Sequence, residues 1–264
     1  MRPSIALLSD FGTRDHYAGT MKGVILGICP EATLVDITHE ITAHDVLEGA
    51  LQLAASYRYF PAGTVFLAVV DPGVGSARRG IAAEAGDYRF VAPDNGVLTL
   101  VFRELPPRRV VELSERRYAR PTVTRTFEGR DRFAPAAAWL AKGTQLSALG
   151  RTITDYCRLE VPIAQATLDS VQGVVVHVDR FGNLVTNIDR RTFESFAKPH
   201  GHIRILAAGR SVDRLVSTYA EIGAGEVCAL FGSSDHLELA ANSASAADVL
   251  GFGKGATIEI TRAT

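Results

Sequence analysis

The sequence predicts an α/β domain with a largely parallel sheet, followed by a smaller all-β, barrel-like domain. In the first half, short apolar runs alternate with helical patterns, which is typical of parallel strands joined by right-handed crossovers. From Val171 onward, short alternating segments are separated by Gly, Asn, Asp and Ser, which favours antiparallel strands. We therefore expect domains at 1–155 and 171–264, joined by a linker at 156–170.

The hydrophobic pattern gives the order of elements within each predicted domain. In the first domain it predicts strands at 4–9, 33–37, 64–70, 80–84 and 88–92, and helices at 17–29, 42–59, 97–101 and 136–142. In the second domain it predicts strands at 171–178, 184–188, 202–207, 226–231, 236–240 and 256–261, with little helical periodicity.

Composition and charge exclude several classes of partner. The 28 Lys and Arg residues nearly balance 29 Asp and Glu residues, and no run of like charge suggests a nucleic-acid groove or a membrane-facing patch. No stretch has the length of a membrane span, and the amino terminus lacks a signal-peptide pattern. Cys29, Cys157 and Cys228 are scattered without metal or disulfide spacing, so we expect buried thiols in a reducing cytoplasm. No ligand-like spacing implies a metal or an organic cofactor.

An acidic loop follows the apolar run 64–70. Asp71, a proline and two glycines come directly after this predicted buried strand, and Arg78 follows seven residues after Asp71. The carboxyl ends of strands in an open α/β sheet are where ligands bind, and glycines let backbone N–H groups approach a ligand. A surface turn closed by an ion pair is the alternative interpretation of this loop.

Two further loops of the first half carry acids at element boundaries. Asp10 ends the predicted strand 4–9, and Glu128 and Asp131 flank Gly129 shortly before a predicted helix. Each acid suits a ligand-facing loop, and each also suits a helix cap or an Asx turn.

Two loops of the second half also attract notice. The first is Asp179-Arg-Phe-Gly-Asn183, and the second runs from Phe231 through Ser233 and Asp235 to Glu238. Both have the composition of hairpin turns, which is their purely structural interpretation.

Together these motifs resemble the S-adenosyl-L-methionine hydroxide adenosyltransferase family, relatives of the fluorinating and chlorinating enzymes. The resemblance rests on five segments in the same order along the chain: Ser9-Asp-Phe-Gly-Thr13, Asp71-Pro-Gly-Val-Gly75 with Arg78, Ala92-Pro-Asp-Asn-Gly96, Thr126-Phe-Glu-Gly-Arg-Asp131, and Phe181-Gly-Asn183 with Thr186-Asn187. It implies a homotrimer with ligand sites at subunit interfaces, and a reaction in which water attacks the ribose C5′ of S-adenosylmethionine to give adenosine and methionine.

The resemblance also implies a role for particular residues. Asp71 and Arg78 match two members of a polar triad that holds the attacking water, and Asp10 matches an acceptor for the ribose hydroxyls. Residues of the second half match positions that contact the rest of the substrate. These are Asp179, Ser233 and Glu238 at the methionine end, Phe181 and Asn183 at the nucleoside, Asn242 and Ser243 at the adenine edge, and Tyr219 beside the purine.

The chain departs from the family pattern at the third triad position. Glu128 stands where the family has histidine, and Gly129 stands where the halogenating relatives have a halide-contacting serine. Two carboxylates in a halide-sized pocket repel an anion, so this chemistry favours water over halide. We expect Arg78 to keep Asp71 ionised and to orient water, with Asp71 or Glu128 as the base.

Two alternatives remain at this stage. Loss of the family histidine could leave a protein that binds adenosine or S-adenosylmethionine without turnover. The segment Leu7–Thr13 also faintly resembles the aspartate-nucleophile phosphohydrolases, but those enzymes need a second acid two residues after the first, where this chain has Gly12.

Overall fold

The protein, a computed structural model, is described at residues 2–198 and 203–262. It divides into two compact units, Met1–Glu160 and Val161–Thr264. The division falls inside the segment 156–170, whose role as a linker stays a prediction.

The first unit is built on a six-stranded mixed sheet with the order β2-β1-β3-β5-β4-β6. Strands β1, β2, β3 and β5 pair in parallel, and β4 pairs antiparallel with both β5 and β6. This confirms the predicted largely parallel sheet. The strands are β1 (Ser4–Ser9), β2 (Thr33–Thr38), β3 (Val65–Val69), β4 (Gly80–Ala85), β5 (Tyr88–Pro93) and β6 (Pro107–Glu112).

Helices cover both faces of this sheet because its central strands are apolar on both sides. In β1, Ile5 and Leu7 face one hydrophobic core, whereas Ala6 and Leu8 face another. Helices α1 and α4 contribute to the first core, and α2 and α3 to the second. The helices are α1 (Tyr17–Ile28), α2 (Val46–Ser56), α3 (Thr99–Glu104) and α4 (Ala134–Ala141).

Three local features of this unit differ from the sequence expectation. Strand β6 was not predicted. Only Val110 and Val111 of this strand pack inward, and the two arginines before them leave no clear apolar pattern. Helix α2 begins at Val46, after Asp45 caps it by accepting a hydrogen bond from the Glu48 N–H. A turn of π-helix, Gly129–Phe133, precedes α4. Such turns are rare and often occur at functional sites.

The second unit is an antiparallel, nearly closed, barrel-like sheet, as predicted. Its order is β11-β10-β14-β8-β9-β13-β12, with β7 added on β8. The strands are β7 (Gln165–Ala166), β8 (Ser170–Val178), β9 (Leu184–Asp189), β10 (Ile203–Ala207), β11 (Arg210–Val212), β12 (Val227–Phe231), β13 (His236–Ala241) and β14 (Thr257–Arg262).

Two helices that the sequence analysis missed pack on this sheet. These are α5 (Arg190–Ala197) and α6 (Ala246–Leu250). Helix α5 is polar on most of its surface and buries Phe193 and Phe196, so its apolar stripe is too narrow to read as a helix from sequence.

Two other expectations concern burial and the membrane. Cys29 and Cys228 are buried, but Cys157 is exposed, so the prediction of three buried thiols was wrong. The Cys157 N–H donates to Asp94, which holds this segment against the surface of the first unit. In the described part of the chain, no helix combines the length and apolar character that crossing a bilayer requires.

Candidate active site

Asp71, Arg78 and Glu128 meet at the carboxyl end of β3. Asp71 lies in the loop after β3, Arg78 ends the glycine-rich turn that follows it, and Glu128 immediately precedes the π-helical turn. The fold therefore brings together residues that are 50 positions apart in sequence.

One guanidinium holds both carboxylates. Arg78 Nε donates to Asp71 Oδ1 at 3.0 Å, and Arg78 Nη2 donates to Asp71 Oδ2 at 2.5 Å. The same Nη2 donates to Glu128 Oε2 at 2.8 Å. The second carboxylate oxygen of Glu128 lies 3.9 Å from the Arg132 guanidinium. The cluster thus contains three hydrogen bonds and one longer ion pair.

The cluster is buried, which excludes the surface ion pair considered from the sequence. The side chains of Asp71, Arg78 and Glu128 are only 6%, 8% and 10% exposed. Burial raises the pKa of Asp71 above its usual range, and the nearby charge of Glu128 raises it further, although Arg78 lowers it. Burial outweighs the effect of Arg78 on this pKa, and the expectation that Arg78 keeps Asp71 ionised stays a prediction.

The backbone carbonyl of Arg79 holds the part of the Arg78 guanidinium that the carboxylates do not contact. Arg78 Nη1 donates to the Arg79 carbonyl at 2.9 Å, and the Asp94 N–H donates to the same oxygen at 2.8 Å. The buried Asp94 carboxylate in turn accepts from the Arg79 side chain at 2.7 Å. The Phe133 ring lies 5.2 Å from the Arg78 guanidinium carbon. Arg78 is thus held by carboxylates, a carbonyl and an aromatic face.

Asp131 anchors the loop that carries Glu128, which is a structural rather than a ligand-facing role. Its carboxylate is fully buried and accepts from Arg130 Nε at 2.6 Å and from both the N–H and hydroxyl of Thr124. These hydrogen bonds lower the pKa of Asp131 to about 2 against the effect of burial. Of the two acids around Gly129, only Glu128 reaches Arg78.

Asp10 is held by the backbone of a neighbouring loop. The His44 N–H donates to Asp10 Oδ2 at 2.9 Å. His44 adopts a φ of 69°, which is uncommon for a residue with a side chain and turns its N–H toward the carboxylate. One oxygen of Asp10 is therefore oriented by protein, and the carboxylate keeps further acceptor capacity.

Apolar side chains form a wall beside Glu128. A Cβ added to Gly129 would lie 3.1 Å from Met21 Sδ and 3.5 Å from the Phe11 ring. Phe11 also packs edge-on against Phe127 at 5.9 Å between ring centroids. Position 129, directly after Glu128, therefore has little room for a side chain.

In the second unit, Asp179 closes the turn that carries Phe181 and Asn183. Asp179 Oδ1 accepts from the backbone N–H groups of both residues at 2.8 Å, and Oδ2 accepts from the Asn183 side-chain amide at 2.8 Å. The interpretation of this segment as a turn is therefore confirmed. Asn183 is buried, whereas the Phe181 side chain is exposed and presents its ring to the surroundings.

Glu238 is a buried acid with no partner in its own unit. The residue is 7% exposed, and no described residue donates a hydrogen bond or an ion pair to its carboxylate. Burial, with the charge of Asp179 as a smaller cause, raises the pKa of Glu238. The charges of Glu238 and Asp179 in turn raise the pKa of Tyr219, after burial. Asp179, Tyr219 and Glu238 are thus electrostatic neighbours, and their assignment to the substrate stays a prediction.

The remaining predicted residues of the second unit lie in loops. Ser233 is exposed in the turn between β12 and β13. Asn242 and Ser243 follow β13, and both backbone groups of Asn242 are already used, by Glu226 and Gly225. Ser243 has a φ of 56°, so this segment is a tight turn. The Asn242 N–H is therefore occupied within the unit, whereas its carbonyl oxygen keeps a second lone pair.

Comparison with known proteins agrees with this arrangement of loops. Residues 5–150 match the SAM hydroxide adenosyltransferase N-terminal domain, and residues 173–259 match the C-terminal domain of the same family. The chain belongs to this family. The family resemblance predicted from the sequence is therefore confirmed.

Relatives of known name match over nearly the whole chain. An (R)-S-adenosyl-L-methionine hydrolase of Thermus thermophilus is 37% identical, over 98% of this chain and all of the relative. A fluorinase of Actinoplanes is 33% identical, over 99% of this chain and 98% of the relative. A crystal structure of an uncharacterized conserved protein from Thermotoga maritima superposes with a TM-score of 0.89 at 36% identity, over 98% of this chain and 100% of the other.

The sequence did not show the contacts that three residues of this family member make. Asp94 fixes the backbone beside Arg78, His44 orients Asp10, and Gly232 gives space to Glu238. Asp94 and Gly232 stood inside quoted motifs, but nothing in the sequence shows which atoms a buried acid or a glycine contacts. The positive φ of His44 carries no sequence signal, since it is not a glycine.

Proposed function

We propose that the chain hydrolyses S-adenosyl-L-methionine to adenosine and L-methionine. The buried cluster of Asp71, Arg78 and Glu128 carries this proposal, because it offers carboxylates for a proton and nothing that would favour an anionic nucleophile. The name of the Thermus thermophilus relative supports it.

The bond changes follow from the charge of the substrate. A water oxygen forms the new bond to C5′ as the bond from C5′ to sulfur breaks, and its electron pair goes to sulfur. The sulfonium thereby leaves as a neutral thioether, so no acid is needed at the leaving group. Water is a poor nucleophile, so its proton moves to a carboxylate as the new bond forms. In-line placement supplies up to roughly 7–11 kcal/mol of the reduction in barrier.

Asp71 is the base in this scheme. Its raised pKa makes it a stronger base than an ordinary aspartate, and Glu128 contributes to that rise. Arg78 holds both carboxylates in one orientation. Most of its donors are already used by Asp71, Glu128 and Arg79, so its main role is to position the carboxylates rather than the water itself.

The same cluster disfavours halide as the nucleophile. Two carboxylates lie beside the close Arg78 guanidinium, and the Arg132 guanidinium lies 3.9 Å from Glu128, so the cluster offers a halide no excess positive charge. The Met21 and Phe11 side chains also restrict any residue larger than glycine at position 129.

Residues of both units would bind the substrate. Asp10 would accept from the ribose hydroxyls, and Phe181 with Asn183 and Tyr219 would contact the nucleoside. Asp179, Ser233 and Glu238 would hold the methionine end, and Ser243 beside Asn242 the adenine edge. The exposed ring of Phe181 and the unpartnered carboxylate of Glu238 support this assignment.

We further propose a homotrimer in which each substrate lies between the first unit of one subunit and the second unit of the next. Co-expression of Asp71→Asn and Glu238→Gln chains tests it. If sites are shared between subunits, about a quarter of the sites in a random mixture have both wild-type halves, so activity reappears. Sites within one subunit would show no such recovery. Sedimentation gives the subunit number independently.

The decisive test is the source of the 5′ oxygen. Purified protein is incubated with S-adenosylmethionine in water enriched in oxygen-18, and the nucleoside is analysed by mass spectrometry. Adenosine with the label at its 5′ oxygen is the expected product, with unlabelled methionine released in equal amount. The same incubation with added chloride or fluoride should give no halogenated nucleoside.

Intact S-adenosylmethionine, with binding shown by calorimetry, would overturn hydrolysis and identify a binding protein. That alternative rests on Glu128 in place of the family histidine. Family membership gives no support to the aspartate-nucleophile phosphohydrolase alternative.

A further inference from the structure

Four hydrogen-bonded side chains run from the surface of the first unit to the residue before Asp10. Lys22 Nζ of α1 donates to Asp36 Oδ2 of β2 at 2.6 Å, and Asp36 Oδ1 lies 3.1 Å from His39 Nε2. His39 Nδ1 lies 2.7 Å from the hydroxyl of Ser9, the last residue of β1. The His39 side chain is only 3% exposed, and Ser9 is fully buried. These four residues form the His39 network.

The charge of Asp36 sets the direction of the hydrogen bonds in the His39 network. Burial works to raise the pKa of Asp36, but the hydrogen bonds from Lys22 and His39 lower it below its usual range. An ionised carboxylate only accepts, so His39 Nε2 carries a hydrogen. The Nδ1 atom of a neutral imidazole then accepts, and the Ser9 hydroxyl donates to it. The Ser9 oxygen keeps its lone pairs and accepts from the Phe11 N–H at 3.4 Å.

His39 holds the loop after β1 at two points. Its ring contacts Ser9, and its backbone carbonyl accepts from the Gly12 N–H at 2.7 Å. Gly12 has a φ of 67°, which glycine adopts without strain, and the loop turns back toward His39 there. Asp10 and Phe11 lie between the two points, so His39 fixes the backbone that carries the Asp10 side chain.

An irregularity in the pairing of β1 with β2 brings His39 level with the end of β1. Leu7 pairs with Asp36. The next residue of β1, Leu8, pairs with Thr38, so β2 carries one extra residue between the two pairs. Such bulges re-aim side chains and are frequent beside active sites. The contact between the His39 ring and β1 therefore depends on a specific departure from regular pairing.

We propose that His39 is a positioning residue for Asp10: through Ser9 it fixes the loop that aims the Asp10 carboxylate at the ribose hydroxyls. This inference rests on the proposed function, in which Asp10 accepts from those hydroxyls. His39 acts through Ser9 and needs no contact with the substrate, so its effect is confined to ligands that carry the hydroxyls.

The test compares adenosine with 2′,3′-dideoxyadenosine, which lacks both ribose hydroxyls, by calorimetry. Wild-type protein should bind dideoxyadenosine about 10- to 100-fold more weakly, because the hydrogen bonds to a charged Asp10 are lost. Ser9→Ala should weaken adenosine by about 3- to 10-fold and leave dideoxyadenosine within about twofold of the wild-type value. General destabilisation of the fold would weaken both nucleosides, so the ratio of the two dissociation constants isolates the positioning effect.

Two substitutions of His39 separate its two side-chain contacts. Asparagine places an oxygen where imidazole has Nδ1, so His39→Asn keeps an acceptor for Ser9. Glutamine places its amide nitrogen where imidazole has Nε2, so His39→Gln keeps a donor to Asp36 and loses the contact with Ser9. We expect His39→Asn to bind adenosine within about threefold of wild type, and His39→Gln to match Ser9→Ala, with a loss of about 3- to 10-fold for adenosine alone.

Thr64→Val is the matched control. It removes a buried hydroxyl that donates to the Pro61 carbonyl at 2.7 Å, at the amino end of β3 and therefore away from Asp71. This variant should lower Tm, as the loss of a buried hydrogen bond does, and should bind both nucleosides as the wild type does.

The outcomes separate this inference from the proposed function. Equal weakening of both nucleosides by Ser9→Ala, or equal affinities of His39→Asn and His39→Gln for adenosine, would make the His39 network purely structural and overturn the inference. Wild-type protein that binds neither nucleoside, or both equally well, would overturn it too. Wild-type protein that prefers adenosine but forms none from S-adenosylmethionine would reject hydrolysis, and the same calorimetric comparison would still decide the role of His39.

Discussion

Asp71 and Glu128 in the first unit share the guanidinium of Arg78, whereas Glu238 in the second unit accepts no hydrogen bond from a described residue. All three acids are nearly equally buried, at no more than a tenth exposed. Burial raises the pKa of both Asp71 and Glu238, yet only Asp71 has a cation that works against the rise.

The difference separates two uses of a buried carboxylate. A cluster with its own cation has its geometry fixed before a ligand arrives, which suits a reaction that depends on in-line placement. An unpartnered carboxylate leaves free energy to be gained when a cationic ligand arrives, which suits recognition. Under the proposed function, the first region would be preorganised for chemistry and the second would gain a partner only from its ligand.

The largest effect should come from Asp71→Asn. This change keeps the shape and an acceptor for Arg78 but removes the base, so kcat should fall by about 10²- to 10⁴-fold. The measurement is adenosine release at saturating substrate. Binding of S-adenosylmethionine should change little, because Asp71 acts on the water.

Asp87→Asn, on the exposed turn between β4 and β5, is the control and should leave kcat unchanged. If kcat of Asp71→Asn stays within about threefold of the wild-type value, another group accepts the proton and the proposed role of Asp71 is wrong.

The position of Asp71 could be predicted from the sequence because polar residues interrupt a strong apolar run there. Asp71 follows a strand of buried residues, so its place at the sheet edge was visible before the structure. Glu128 lay in a loop of uncertain direction, and only the fold shows that it, rather than Asp131, reaches Arg78. Sequence gives the element boundary but not the side-chain direction.

The missed features have physical reasons of the same kind. Helix α5 has too few apolar residues to show a helical stripe, and in β6 two arginines follow Pro107. The space that Gly232 leaves for Glu238 depends on the pairing of β12 with β13, in which Leu230 lies opposite Glu238. Register between strands is a tertiary property, so no local pattern shows it.

The second prediction concerns Asp131, whose carboxylate accepts several hydrogen bonds. Its pKa is lowered to about 2 from 3.8, so its ionised form stabilises the fold above pH 4, and that contribution is lost as pH falls toward 2. Asp131→Asn should therefore cost about 2 kcal/mol at pH 7. Thermal unfolding should show a Tm lower by about 4–8 °C.

The gap in Tm between wild type and Asp131→Asn should narrow below pH 4. A gap that stays constant between pH 7 and pH 3 would mean that packing, rather than charge, explains the loss.

The third prediction tests whether Glu128 acts through Asp71. The charge of Glu128 helps to raise the pKa of Asp71, so Glu128→Gln should lower that pKa and make Asp71 a weaker base. Asp71 must be ionised to accept a proton, so the acid limb of kcat/KM against pH should move to lower pH. At neutral pH the rate should fall by at most about tenfold.

If Glu128→Gln lowers the rate as much as Asp71→Asn does, Glu128 rather than Asp71 is the base. Movement of the acid limb to higher pH would contradict the electrostatic role altogether.

The smallest effect, and the one that tests the comparison most directly, is a gain in stability from Glu238→Gln. Because the folded-state pKa of Glu238 is raised, the folded protein binds this proton more tightly than the unfolded chain does, so the free energy of unfolding falls as pH rises above 4.5. Glutamine lacks that penalty and should stabilise the protein by about 0.5–2 kcal/mol at pH 7, with less gain at pH 4. Asp131→Asn should instead lower the stability at pH 7.

Saturating S-adenosylmethionine should reverse the order of wild type and Glu238→Gln in Tm, because only the wild type regains a partner for its buried charge. If Glu238→Gln is less stable than wild type without ligand, the carboxylate has a partner in the folded protein, and recognition by an unpaired acid is wrong.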